Sequence, residues 1–137
     1  MAHDDDLASI PRLRLVFGPQ ALFGPGRADL LELIGETGSL AAAGRRMRMS
    51  YKRAWTLVDQ MNRTFEAPLV ELSRGGSAHG GAVLTALGRE VLLRYRRMQA
   101  AGLEAMAEDL AALAARLAAS PATDASGEPF ADMSKGK

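Results

Sequence analysis

The stretch Ser39–Phe65 reads SLAAAGRRMRMSYKRAWTLVDQMNRTF, a pattern that predicts a short helix, a tight turn and a longer helix. Ser39 and Ser50 each stand directly before a helical run, where a hydroxyl oxygen can accept a hydrogen bond from an unpaired backbone N–H of the first turn. The first run is rich in Ala and Gly, and such small residues allow two helices to cross closely over a short turn. The stretch therefore predicts a helix-turn-helix.

The second helix of this motif has two chemically distinct faces. At about 100° per residue, its apolar side chains fall within one arc of roughly 100°. They are Ala54, Leu57, Val58, Met61 and Phe65. The opposite side carries Lys52, Arg53, Thr56, Gln60 and Arg63. Side chains of these types bind base edges and phosphates. A solvated surface would have the same composition, so this helix alone leaves both interpretations open.

Length and composition limit the kinds of protein this chain can be. At 137 residues and 47% hydrophobic content, it fits one folded domain with an appendage. The sequence has no Cys, and its only imidazoles are His3 and His79, so we expect no disulfide, no metal and no cofactor. No apolar run approaches the roughly 20 residues of a membrane span, and the acidic start MAHDDDLASI is unlike a signal peptide. We therefore expect a cytoplasmic protein that does not bind a membrane.

The net charge of +1 combines a basic centre with acidic flanks. Residues 39–97 contain eleven Lys and Arg residues against four Asp and Glu residues, a local charge of +7. Residues 1–38 and residues 98–137 each contain three cations and six acids, a charge of −3. Binding of a polyanion requires a local cluster of cations and not a high overall charge. The distribution therefore favours nucleic acid as a partner.

The segments around the helix-turn-helix predict a domain over residues 12–84, after a disordered tail at residues 1–11. Arg12–Phe17 alternates polar and apolar residues, which predicts a short edge strand that ends at Gly18-Pro19, and a helix is expected at about 25–36. Leu69–Ser73 and Gly81–Leu84 predict a β-hairpin across a Gly-rich loop. That loop lacks the Gly-Lys-Ser/Thr ending of a nucleotide site. A hairpin in this place is the wing of a winged-helix domain.

A long helix is predicted over residues 85–120, beginning at Thr85 as its cap, before a second disordered tail at 121–137. At about 1.5 Å per residue it would extend on the order of 50 Å, more than a small domain needs for its own core. Its apolar residues recur in steps of three and four, as in a coiled-coil seam. The predicted dimerisation residues are Leu92, Tyr95, Leu103, Met106, Leu110, Leu113 and Leu117. The alternative is that the stripe folds back on the core of the same chain.

Two stretches, TGSLAAAGRRMRMSYKRAWTLVDQMN and LVELSRGGSAHGGAVLTALG, resemble the N-terminal DNA-binding domain of ModE-type molybdate-responsive transcription regulators. The resemblance covers about residues 12–100, and its more specific parts are Ser50–Trp55, Met61-Asn62 and Gly80–Thr85. A weaker likeness, in Ala42–Met47, is to LysR-type regulators. The resemblance implies a mainly α fold, a winged helix-turn-helix with a small β-hairpin, that forms a homodimer and binds palindromic operators in double-stranded DNA.

The positions of the basic and polar residues in this motif predict separate roles in DNA binding. Lys52, Arg53 and Thr56 begin the second helix, the part that enters the major groove, and are the candidates for base contact. Cations of the first helix, the turn and the wing are expected to contact phosphates. For the loop residues, solvent exposure without DNA contact is an equal alternative. Tyr51 and Trp55 are assigned mainly to packing, and the alternative for Tyr51 is contact with a phosphate. The full expected set is Arg45, Arg46, Arg48, Ser50, Tyr51, Lys52, Arg53, Thr56, Gln60, Arg63, Arg74, Ser77 and His79.

The resemblance differs from the family after residue 100. Full-length ModE-type regulators continue into β-rich domains that hold molybdate, whereas one helix and a polar tail follow here. We therefore expect a DNA-binding regulator that does not bind molybdate. The alternative is a winged-helix module that docks onto a protein and acts with a separate sensor. No Ser, His and carboxylate cluster stands at a catalytic spacing, so an enzyme is not expected.

Overall fold

The computed structural model describes residues 12–73 and 81–118. The described residues divide between Ala101 and Gly102 into two compact units. The first unit holds two β-hairpins and the helix-turn-helix, and the second holds the last part of the C-terminal helix. Both tails predicted from the sequence lie outside the described residues, and so does the loop at residues 74–80. In the described part, no helix is both long and apolar enough to cross a membrane.

The first unit begins with a β-hairpin where the sequence predicted a single strand. β1 (Leu15–Gly18) pairs antiparallel with β2 (Ala21–Phe23), and Leu15 lies opposite Phe23. The short edge strand predicted over Arg12–Phe17 is therefore present as β1, and its partner β2 was not predicted. Three residues carry too short a pattern to be recognised as a strand, which is why β2 was missed.

Three helices follow, and they form the helix-turn-helix with its supporting helix. They are α1 (Pro25–Thr37), α2 (Leu40–Arg46) and α3 (Tyr51–Thr64). The Ser39 Oγ accepts a hydrogen bond from the Ala42 backbone N–H at 3.0 Å, and the Ser50 Oγ accepts one from the Arg53 N–H at 3.0 Å. The predicted capping of both helices is therefore confirmed. Gly38, at φ 70°, ends α1 in the left-handed conformation that Gly adopts without steric cost.

The second hairpin is the wing of the domain. β3 (Val70–Ser73) and β4 (Gly81–Leu84) pair antiparallel, with Val70 opposite Leu84. The backbone N–H of Ala82 also donates to the Gly38 carbonyl at 3.1 Å, beside a bridge between Ser39 and Gly81. The wing therefore joins the chain at the point where α2 begins. The mainly α winged helix-turn-helix predicted from the sequence is confirmed.

The C-terminal helix α4 (Ala86–Ala114) begins on the wing and ends short of the predicted residue 120. Thr85 caps it, because its Oγ1 accepts from the Gly88 N–H at 2.9 Å. The same hydroxyl donates to the Pro68 carbonyl at 2.7 Å. The start of α4 is therefore attached to the residues that lead into β3.

The core of the first unit is apolar and draws on every element. Tyr95 of α4 is 1% exposed, and its ring meets Phe23 edge to face at a centroid distance of 5.2 Å. Its hydroxyl donates to the Leu13 carbonyl at 2.5 Å. The other fully or almost fully buried apolar residues are Phe23, Ala28, Leu30, Leu31, Ile34, Leu40, Ala43, Ala54, Leu57, Val58, Met61, Leu69, Val70 and Ala82.

One close approach explains why a glycine lies in the first turns of α4. A Cβ built on Gly88 would lie 2.1 Å from the Leu69 carbonyl oxygen and 3.0 Å from its carbon. Both atoms belong to backbone that is held by hydrogen bonds from Thr85. Any side chain at this position must push α4 away from the wing.

We expect Gly88→Ala to destabilise the first unit by roughly 1 to 3 kcal/mol, because the added methyl group overpacks a buried backbone contact. Gly102→Ala in the same helix is the matched control, since its Cβ would meet only the end of Met106 at 3.5 Å. That change should stabilise the helix by about 0.5 to 1 kcal/mol, the usual preference for Ala over Gly. Urea unfolding followed by circular dichroism measures both. Equal effects of the two changes would contradict the packing argument.

Candidate nucleic-acid interface

The outward face of α3 is the most polar surface of the helix-turn-helix. Lys52 and Arg53, in its first turn, are exposed, and Thr56 is half-buried. Among the described residues, neither Lys52 nor Arg53 forms an ion pair. The apolar arc beneath them is buried, from Ala54 to Met61. The separation of the two faces predicted from the sequence is therefore present in the fold.

The two polar residues further along α3 are held by neighbours. The Gln60 Oε1 accepts a hydrogen bond from the Arg27 guanidinium at 2.5 Å, which ties α3 to the start of α1. The Arg63 Nε donates to Asp59 at 3.0 Å, one helical turn away. An exposed pair of this kind contributes little to stability. Arg63 is therefore able to exchange Asp59 for another anion at low cost.

The three arginines of α2 and the turn differ in their surroundings. Arg45 is exposed and forms no ion pair in the part of the chain that the structure describes. Arg46 lies 3.4 Å from a Glu36 carboxylate oxygen. Arg48 has φ 59°, a left-handed conformation that costs a residue with a Cβ roughly 1 to 2 kcal/mol. Glycine would adopt this conformation without that cost.

The wing is anchored to α3 by the side chain of Asn62. Its Oδ1 accepts from the backbone N–H groups of Leu69 at 2.8 Å and Val70 at 3.2 Å, and its Nδ2 donates to the Val70 carbonyl at 3.1 Å. One amide therefore fixes where β3 begins relative to α3. Arg74, Ser77 and His79, the expected contacts of the wing loop, lie outside the described residues.

The aromatic residues at the start of α3 are more exposed than the sequence suggested. Tyr51 is 49% exposed and Trp55 is 44% exposed. On a helical wheel they lie beside the polar face, on the flank that includes Asn62. About half of each side chain is therefore packed against the protein, and the rest is exposed. They extend the outward surface of α3 with apolar area.

Two arginines that the sequence analysis left out of the site lie next to α3. Arg14, before β1, and Arg27, in α1, line a cavity together with Arg53. Arg14 and Arg27 are remote in sequence from the helix-turn-helix, and no spacing rule brings them to Arg53. In the sequence, the only general indication is that arginine outnumbers lysine. The specific indication is the hydrogen bond from Arg27 to Gln60, which is visible only in the fold.

The predicted dimerisation residues divide between the two units. Tyr95 belongs to the core of its own chain, and Leu92 is half-buried against that core. Their assignment to a dimer seam is therefore corrected: the stripe does pack on its own chain at this point. The remaining seam residues lie in the second unit. There Leu110 is half-buried, and Leu103, Met106, Leu113 and Leu117 are exposed.

The order and pairing of its elements place the first unit in the class of winged helix-turn-helix proteins. The chain is 45% identical over 80 residues to the molybdenum-pterin-binding protein MopB of Rhodobacter capsulatus, which covers 58% of this chain and 30% of that protein. It is 40% identical over 77 residues to the DNA-binding transcriptional dual regulator ModE of Escherichia coli (strain K12), which covers 56% of this chain and 29% of that protein. The resemblance to ModE-type regulators is confirmed.

The similarity is partial in length. The aligned region spans about 30% of these curated relatives. No family model matches the chain. Among solved structures, the CbnR_DBD chain of a CbnR_DBD–DNA complex is 25% identical, with a TM-score of 0.49, covering 66% of this chain and 97% of that chain.

We expect Asn62→Ala to destabilise the first unit by roughly 1 to 3 kcal/mol, because it leaves two backbone N–H groups and one carbonyl of β3 without their partner. The matched control on the same helix is Arg63→Ala, which removes only an exposed ion pair and should change stability by less than about 1 kcal/mol. Thermal melts of the two variants beside the wild type measure the difference. If both variants melt with the wild type, Asn62 does not anchor the wing.

Proposed function

We propose that the first unit is the DNA-binding domain of a transcription regulator and that the outward face of α3 binds the major groove of double-stranded DNA. The observation that carries this proposal is a pair of exposed cations, Lys52 and Arg53, in the first turn of a helix whose other face is buried in the core. Within residues 12–73 and 81–118, neither cation forms an ion pair. In helix-turn-helix proteins this turn of the second helix contacts base edges. The similarity to regulators, and not to enzymes, supports the same conclusion.

The proposed roles follow from where each side chain lies. Lys52 and Thr56 are on the outward side of α3 and are the base readers in this proposal. Arg45 and Arg48, on α2 and the turn, bind phosphates, because their long side chains are exposed beside α3. Arg46 is a weaker candidate, since the Glu36 carboxylate partly neutralises it. Gln60 and Arg63 have partners on the protein and take a secondary role.

The DNA sequence that the protein selects is found by sequencing the genomic fragments it retains. Against that selected duplex, Lys52→Ala should lose about 1 to 3 kcal/mol of binding free energy, and much less against a scrambled duplex. Arg45→Ala should weaken both duplexes by the same factor and lower the salt dependence of binding by about one ion. Fluorescence anisotropy over a salt series measures both. An equal loss on both duplexes for Lys52→Ala would show that it does not read bases.

We also propose that the protein acts as a homodimer through the second unit and binds an inverted repeat. Leu113 and Leu117 are 67% and 62% exposed, and Leu103 and Met106 are 38% and 42% exposed. Apolar residues at this spacing on an exposed helix are stabilised when a second helix covers them. A two-fold dimer would bind half-sites about one helical turn apart, or a multiple of it.

We expect light scattering at tens of micromolar to give the mass of two chains. Met106→Asp combined with Leu110→Asp should give the mass of one chain, because two charges would be buried in the seam. Glu104→Asp combined with Glu108→Asp, in the same helix, is the control and should remain dimeric. A wild-type mass of one chain, or a double Asp variant that stays dimeric, would exclude this seam.

A second function, docking onto a protein partner, is favoured by one observation. Tyr51 and Trp55 expose apolar area beside the polar face of α3, and exposed aromatic residues are common in protein interfaces. Failure of the wild type to retain any duplex at low salt would favour docking over DNA binding. Binding of a molybdenum pterin is indicated only by the name of MopB, a protein of which the aligned region spans 30%.

A further inference from the structure

A cavity of about 270 Å³ at the start of α1 brings three arginines together. Arg14 comes from the segment before β1, Arg27 from the first turn of α1, and Arg53 from the first turn of α3. The other residues that line the cavity are Leu22, Gly24, Pro25, Gly26, Met49 and Leu57. We refer to this cavity as the arginine pocket.

The arginine pocket contains no neutralising group within the described residues. No Asp or Glu lines it. Across residues 12–73 and 81–118, none of its three arginines forms an ion pair. Arg14 and Arg53 are exposed, whereas Arg27 is half-buried. Three like charges around one concave surface are unfavourable unless an anion joins them.

A second cavity of the same unit shows how the fold neutralises arginines elsewhere. It is lined by Arg46 and Arg96 with Asp29 and Glu32 among them. There the Arg96 guanidinium donates to Asp29 at 2.9 Å and to Glu32 at 2.6 Å. The contrast shows that charge compensation is available to this unit and is missing from the arginine pocket in the described part of the chain.

Arg27 is held in place across the pocket. Its guanidinium donates to the Gln60 Oε1 at 2.5 Å, so its position depends on α3. Burial first, and then the charges of Arg53 and Arg14, lower the pKa of Arg27. This direction is the one expected of a cation that has like charges nearby and lacks a counterion. A bound anion would act on this pKa in the opposite direction, because an opposite charge favours the charged form.

We propose that Arg14, Arg27 and Arg53 bind one phosphate group of the DNA backbone at the edge of the groove that α3 enters. Guanidinium groups bind phosphate oxygens through paired, charge-assisted hydrogen bonds. The start of α1 has no acidic residue in its first turn and no side-chain cap, and its dipole adds to a site that the three guanidinium groups already define. The inference rests on the proposed DNA binding of the first unit.

This assignment changes the expected role of Arg53. From the sequence alone, Arg53 was expected to contact bases together with Lys52. Within the arginine pocket it lies on the flank of α3 nearest Arg27, and a phosphate contact there carries no sequence information. Specificity then depends on Lys52 and Thr56, while Arg53 sets the position of α3 on the backbone.

The test compares Arg14→Gln, Arg27→Gln and Arg53→Gln in the full chain, each with the genome-selected duplex and with a scrambled duplex. Each variant should bind both duplexes about tenfold more weakly, because a charge-assisted contact is lost. The slope of log affinity against log salt should fall by about 0.9 for each lost phosphate contact. Arg97→Gln, an exposed arginine of α4 that forms no ion pair among the described residues, is the matched control and should bind as the wild type.

Three results would overturn the inference, and they are distinct. If the Arg14 and Arg27 variants bind both duplexes with wild-type affinity and slope while Lys52→Ala still weakens the selected duplex, the pocket is not a phosphate site and the proposed function stands. If the wild type retains no duplex, both proposals fail. If millimolar phosphate or molybdate raises the melting temperature of the wild type but not of Arg14→Gln, with the DNA slopes unchanged, the pocket takes a free oxyanion. If Arg27→Gln fails to fold, Arg27→Lys replaces it in the test, because lysine keeps the charge but lacks the planar guanidinium group.

Discussion

The arrangement of the elements in the first unit depends on contacts that hold the Pro68–Val70 backbone from two sides. On one side the Asn62 amide binds the backbone of Leu69 and Val70. On the other side, Thr85 donates to the carbonyls of Pro68 and Leu69. Because Gly88 has no side chain, α4 also packs directly against the Leu69 backbone. The helix-turn-helix, the wing and the long helix therefore meet at three consecutive residues. Because the contacts are short and directional, they fix the wing relative to α3 more sharply than apolar packing alone could do.

Electrostatics divide the arginines of the first unit into two groups. Some are paired with carboxylates on the protein: Arg46 with Glu36, Arg63 with Asp59, Arg94 with Glu90, and Arg96 with Asp29 and Glu32. The arginine pocket and the first turn of α3 hold cations without such partners in the described residues. The +7 charge of residues 39–97 therefore includes arginines such as Arg46 and Arg96 that pair with carboxylates outside this range. The unneutralised sites are those from which a polyanion would gain most, since no protein carboxylate has to be displaced.

The long helix shows how one apolar stripe can serve two purposes. In the first unit the stripe supplies Tyr95 to the core, with a hydroxyl bond to the Leu13 carbonyl. In the second unit the same spacing continues through Leu103, Met106 and Leu113, whose side chains are exposed. Burial of the stripe in its own chain and burial against a second chain require the same residue types, because both depend on removing apolar area from water. Packing of the stripe on its own chain is therefore observed at Tyr95, whereas burial of its later part against a second chain remains the proposal made above.

The sequence by itself determined the elements whose signals are local. Ser39, Ser50 and Thr85 cap their helices as expected, and the apolar arc of α3 is buried, because capping and helical periodicity involve residues within a few positions of one another. Tertiary structure alone decided the meeting of Arg14 and Arg27 with Arg53, the burial of Tyr95 against Leu13, and the exposure of Tyr51 and Trp55. These outcomes depend on contacts between residues far apart in the chain, 82 positions for Tyr95 and Leu13. Periodicity shows which residues share a face, and only the packing of the elements shows what that face meets.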